Sequence, residues 1–146
     1  MTNHNLEQYL SKNSSTVTEN NQNLEELAQR LVQAIAQAAD DRKAADIVVL
    51  KVVGISYLTD YFVMATGFSR TQVRAISDAI EEKVAKEFQK NPLRVEGKAE
   101  GSWIVHDYGD VIVHIFLPQE REFYNLEAFW GHAERINIPL YNPVRE

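Results

Sequence analysis

The chain has no cysteine among its 146 residues. Disulfide frameworks and thiolate metal sites are therefore excluded, and a reducing compartment fits. No apolar run approaches the roughly 18 residues of a membrane-crossing helix. The N-terminus lacks the apolar core of a signal peptide, and its first arginine is Arg30, unlike an arginine-rich transit peptide. A soluble cytoplasmic protein is expected. The six glycines are scattered rather than phased as G-x-G-x-x-G, and no Walker-type loop appears. Positive charge is also scarce. A net charge of −6 argues against a general nucleic-acid binder, which needs lysines and arginines to displace phosphate counterions. No Asp-x-Asp occurs, which removes the usual strand-borne carboxylate pair of two-metal phosphoryl transfer. No serine sits in a nucleophile-elbow context.

What is present has the order of one domain. Residues 1–22 are rich in Asn, Ser and Thr and read as a disordered polar tail. Asn23 with Glu26 resembles a capping box, and Leu24, Leu27, Leu31 and Ile35 line one helical face behind it. The segment 46–53 is apolar on both faces, as a central strand is. A short turn at 54–60 leads to a strand at 61–66, so the two should pair antiparallel. Ser69 and Gln72 form a second capping box, opening a helix along Val73, Ile76, Ile80, Val84 and Phe88. Asn91-Pro92 ends it. Strands follow at 93–97, 103–108 and 111–117, the last two joined by a tight turn at Gly109-Asp110. A final helix is expected over 120–133, and residues 137–146 read as an irregular tail. The fold class is α/β, a single domain over 23–136 with a mixed five-stranded sheet packed with helices.

The densest stretch is 101–130, GSWIVHDYGDVIVHIFLPQEREFYNLEAFW. Between Glu96 and Glu127 seven acids face only Lys98 and Arg121, nearly the whole charge imbalance of the chain. Such a local field favours a cationic partner. Trp103, Tyr124 and Trp130 are residue types that anchor interfaces. Phe123, Leu126 and Trp130 fall at i, i+3 and i+7 of the expected helix, and Phe123 and Leu126 read as core. Trp103 alternates with Val105 and Asp107, placing an aromatic beside a carboxylate on one strand face. His114 alternates with Ile112 and Phe116, and His106 with Ile104 and Tyr108. Both histidines read as packed, hydrogen-bonded sheet residues rather than metal ligands.

These residues resemble the Iojap family, the ribosomal silencing factors. The resemblance runs through KAADIVVLKV (43–52), TDYFVMATGFSRTQVRAISDAI (59–80), VEG (95–97), Trp103, DYGDVIVHIF (107–116), Arg121, Tyr124 and LE…W (Leu126, Glu127, Trp130). It covers roughly 24–133 in order. The resemblance implies a non-enzymatic protein with a nucleotidyltransferase-like core lacking the catalytic carboxylates, with no cofactor. It implies binding to ribosomal protein L-fourteen on the large subunit, blocking small-subunit joining when nutrients are scarce, and often homodimers. Carried over, the ribosome-facing candidates are Trp103, Asp107, Tyr108, Asp110, Arg121, Tyr124, Glu127 and Trp130. The runner-up is residual nucleotide binding or nucleotidyltransferase-like activity. His106 stands where the family is usually apolar.

Overall fold

The computed structural model describes residues 3–141, with side chains described from Glu19 onward. The chain forms two compact units, Met1–Arg30 and Leu31–Glu146. Helix α1 spans Asn3–Asp41 and so belongs to both. Its backbone is helical from Asn3, so Asn23 lies inside the helix instead of capping it, and the expected disordered tail falls largely on residues whose side chains are not described. Leu31 and Ile35 are buried as the spacing requires, whereas Leu24 and Leu27 are exposed. The second unit carries the fold of interest.

There α1 ends in an alanine-rich stretch that is buried on most sides. Two glutamines interrupt that burial. Gln33 donates from Nε2 to the Pro139 carbonyl at 2.7 Å, and Gln37 exchanges hydrogen bonds with both backbone polar groups of Tyr141. The irregular segment after residue 136 is thereby tied to the helix, satisfying backbone groups that no strand partner serves.

Strands β1 (Ala45–Lys51) and β2 (Tyr61–Thr66) pair antiparallel, as their short connection requires. Helix α2 (Arg70–Phe88) is opened by Ser69, whose side chain accepts from the Gln72 backbone N–H. The helix ends at Gln89 in a left-handed conformation. Strands β3 (Arg94–Glu96), β4 (Trp103–Asp107) and β5 (Val111–Phe116) follow. β5 lies parallel to β2, with α2 inside the crossover, and antiparallel to β4. Beyond come the short helices α3 (Pro118–Tyr124) and α4 (Leu126–Phe129), then β6 (Glu134–Ile136) against β1. The sheet order is β3-β4-β5-β2-β1-β6.

The sheet therefore has six strands, not five. The extra one is a three-residue strand whose existence depends on pairing with β1, which no local pattern announces. The single helix expected over 120–133 is also two helices. Asn125 adopts φ 43° and its N–H bonds the Arg121 carbonyl, a left-handed cap that ends α3. This break takes Phe123 out of phase with Leu126 and Trp130, and Phe123, expected in the core with Leu126, is 81% exposed.

Gly97 shows how tightly the β3–β4 corner is set. Its φ is +85°, and a Cβ there would run into the Trp103 carbonyl oxygen. Gly97→Ala combines left-handed strain with a backbone clash, and should cost about 3 kcal/mol or more. Urea denaturation checks this; a loss under about 1 kcal/mol would contradict the geometry.

Candidate functional site

Alternation along the strands sorts the sheet into two faces. Ile104, His106, Tyr108, Val111, Val113 and Ile115 are all buried on the face that carries α2. His106 Nε2 is 2.7 Å from Ser77 Oγ of that helix. Burial pushes the His106 imidazole down to about 4, with the Lys98 charge adding to the effect, so it is neutral at pH 7. Its 3.8 Å approach to Glu81 is accordingly not an ion pair at that pH.

The opposite face is only partly covered. Leu50, Val52, Phe62, Met64 and Phe116 form a buried apolar cluster there, with Trp103, Ile112, Leu126 and Trp130 packed against it and partly buried. Leaning over this cluster, α3 and α4 leave an apolar groove of about 450 Å³ walled by Trp103, Ile112, His114, Phe129, Trp130 and Leu58. Trp103 is held by a specific contact: its Nε1–H donates to His114 Nδ1 at 3.0 Å. Tyr124, 52% exposed, stacks on Trp103 with centroids 4.6 Å apart. Trp130 sits 5.3 Å from the Phe62 ring. Desolvation lowers the His114 imidazole to about 4.

The eight residues expected at a partner surface fall into three groups. Trp103 and Trp130 line this groove, and Tyr124 packs against the Trp103 ring. Arg121 and Glu127 lie beside it but face each other, with Arg121 Nε donating to Glu127 Oε1 at 2.8 Å. The remaining three are placed elsewhere. Asp107 Oδ1 accepts from the Gly109 N–H at 2.8 Å, fixing the β4–β5 turn. Asp110 lies in that turn with its carboxylate 3.4 Å from Lys90 Nζ. Tyr108 is 2% exposed on the α2 side, where burial raises its phenol well above the usual range. Sequence reasoning missed Leu58, Phe62, Met64, Ile112 and Phe129 as groove residues. Its only signal for them was the alternation of Phe62 with Met64 and of Ile112 with His114.

Among the described residues, no group of three or more His, Cys, Asp or Glu is placed to hold a metal ion. No helix among them is long and apolar enough to cross a membrane. The built feature of this sheet is an aromatic-walled apolar hollow beside a saturated ion-pair network. Apolar surface of this kind is what proteins commonly present where they meet another macromolecule.

Comparison with known proteins shows the family. The family model described as "Ribosomal silencing factor during starvation" matches residues 25–146. The Ribosomal silencing factor RsfS of Halalkalibacterium halodurans is 41% identical over 110 residues, covering 75% of this chain and 93% of the relative. The chloroplastic Protein Iojap of Zea mays is 44% identical over 107 residues, covering 73% of this chain and 46% of the longer maize protein. A crystal structure of a Chromobacterium violaceum protein superposes with a TM-score of 0.68 at 32% identity, covering 77% of this chain and 92% of that one. The chain belongs to the ribosomal silencing factor family. The family's description names a silencing role and not a reaction.

Proposed function

We propose that this protein acts in the cytoplasm as an anti-association factor. It binds ribosomal protein L-fourteen on the large ribosomal subunit and blocks joining of the small subunit under nutrient limitation. The observation that carries this reading is the groove, an apolar surface lined by two tryptophans, with the half-exposed Tyr124 against Trp103, that no described residue of the second unit fills. Large rigid aromatics at the centre of an apolar patch are the residues that dominate binding energy at interfaces. The excess of acids in the surrounding segment complements a basic ribosomal protein and raises the rate of encounter. Inhibition then needs no chemistry, because occupancy of a shared surface shifts the subunit equilibrium by mass action. The homodimer implied by the family resemblance belongs to the same proposal, and sedimentation equilibrium of the free protein tests it.

The main test is co-sedimentation of the purified chain with isolated large subunits, followed by addition of small subunits. The expected result is a stable complex with large subunits and a reduced yield of joined ribosomes. Absence of either would overturn the proposal.

A further inference from the structure

The two short helices beside the groove have little burial of their own, Leu126 being the α4 residue that packs on the apolar cluster. α3 has seven residues and α4 four, and neither contains a buried residue. Both are far below the length at which a helix sustains itself in water. Yet Tyr124 belongs to α3 and Trp130 follows α4 directly, so the placement of both anchors depends on whatever fixes these two turns.

Arg121 is at the centre of what fixes them. Its Nη1 donates to Thr66 Oγ1 on β2 at 2.8 Å. Its Nε and Nη2 both reach Glu127 Oε1 of α4, each at 2.8 Å. The guanidinium also lies over the Phe116 ring of β5, 5.6 Å from its centroid. The second Glu127 oxygen, Oε2, is 3.3 Å from Arg135 Nη2 on β6. One chain of polar contacts thus joins β2, α3, α4 and β6. The Arg121 side chain is only 12% exposed and Thr66 3%, so this end of the network is shielded from water and salt, whereas Arg135 at the other end is 65% exposed. A guanidinium engaged this fully, and lying over an aromatic ring, has little left to offer a partner.

We infer that Arg121 is the positioning residue of the docking face. It acts through Glu127 to hold Tyr124 and Trp130 in register with Trp103, and does not itself touch the partner. This inference rests on the docking reading above. A lysine cannot replace it, because an ammonium is a point charge without the planar fork that spans Thr66 and Glu127 together.

The test uses the full chain carrying Arg121→Lys, Arg121→Met, Thr66→Val or Glu127→Gln, and the double variant Arg121→Met with Glu127→Gln. The chain has two tryptophans, Trp103 and Trp130. Near-ultraviolet circular dichroism of the free protein therefore reads the groove directly. Arg121→Lys and Arg121→Met are expected to alter that spectrum while far-ultraviolet helix and strand signals persist, and to weaken large-subunit binding by 10-fold or more, written as roughly 1.4 kcal/mol. Thr66→Val, the gentlest change, should shift both readouts in the same direction by less. The double variant should bind no worse than Arg121→Met alone, because both changes break one link. Two outcomes would overturn the inference: binding lost with the tryptophan spectrum unchanged, which means direct contact, or Arg121→Lys behaving as wild type. If wild-type protein fails to co-sediment, the docking reading fails on its own, while the spectra still decide whether Arg121 orders the tryptophans.

Discussion

Lowering the pH from 7 to 4 is expected to cost the fold about 3 kcal/mol for each of two histidines, His106 and His114. Both imidazoles are held down to about 4 from the ordinary 6.5, chiefly by desolvation. The folded protein therefore resists protonation that the unfolded chain accepts. Between about pH 6.5 and 4 the unfolded state binds more protons, so stability falls as pH falls through that window and is fully present above it. The hydrogen bonding agrees with this direction. An indole N–H can only donate, so His114 Nδ1 must accept from Trp103, and a protonated ring would set two donors against each other. Urea denaturation at pH 7.0, 5.5 and 4.5 measures the loss, and His114→Gln should remove about half of the pH dependence. Equal stability at pH 7.0 and 4.5 would contradict the burial of both rings.

Trp103→Ala should weaken large-subunit binding by about 2 kcal/mol or more, roughly 30-fold. The substitution removes the platform on which Tyr124 stacks and the ring lying 5.7 Å from Phe116. It also leaves His114 Nδ1 without its donor. Because Trp103 is only partly buried, the stability cost should stay near about 2 kcal/mol, below the range for a fully buried tryptophan. The variant remains folded, and the loss appears mainly as faster dissociation. Trp103→Phe separates the ring from the hydrogen bond; it should retain much of the affinity and cost about 1 kcal/mol of stability. Trp130→Ala should behave as Trp103→Ala does. A folded Trp103→Ala that binds subunits like wild type would remove this face from the mechanism. Unfolding of both alanine variants would show that the tryptophans serve the core.

The elements with strong periodicity were legible from residues alone. The two central strands, the capped helix from Arg70 and the hairpin of β4 and β5 appear where alternation and turn residues put them. The two sheet histidines are packed and hydrogen-bonded, as their apolar neighbours indicated. What escaped was set by contacts distant in sequence. β6 exists only through β1, and the Arg121–Thr66 bond spans 55 residues. Arg121 and Glu127 looked like surface charges because the partner that neutralises each of them is the other. Tyr108 was different: its alternation put it on one strand face with Ile104 and His106, and that face is the one α2 covers. The change of phase at Asn125 was readable in principle, since asparagine is a common left-handed cap. A continuous apolar spacing across it concealed the break.

The two outer strands, β3 and β6, are three residues each, and both carry charged, exposed side chains: Arg94 and Glu96 on one, Glu134 and Arg135 on the other. Short charged borders offer almost no template for another chain's backbone to extend the ladder. Growth of the sheet by strand addition, the usual route from a folded domain to fibrils, is therefore closed at both ends. The same sheet that displays a hollow lined with tryptophan and phenylalanine thus offers poor edges for its own extension. Whatever adheres to it is directed to the flat of the sheet and away from its margins.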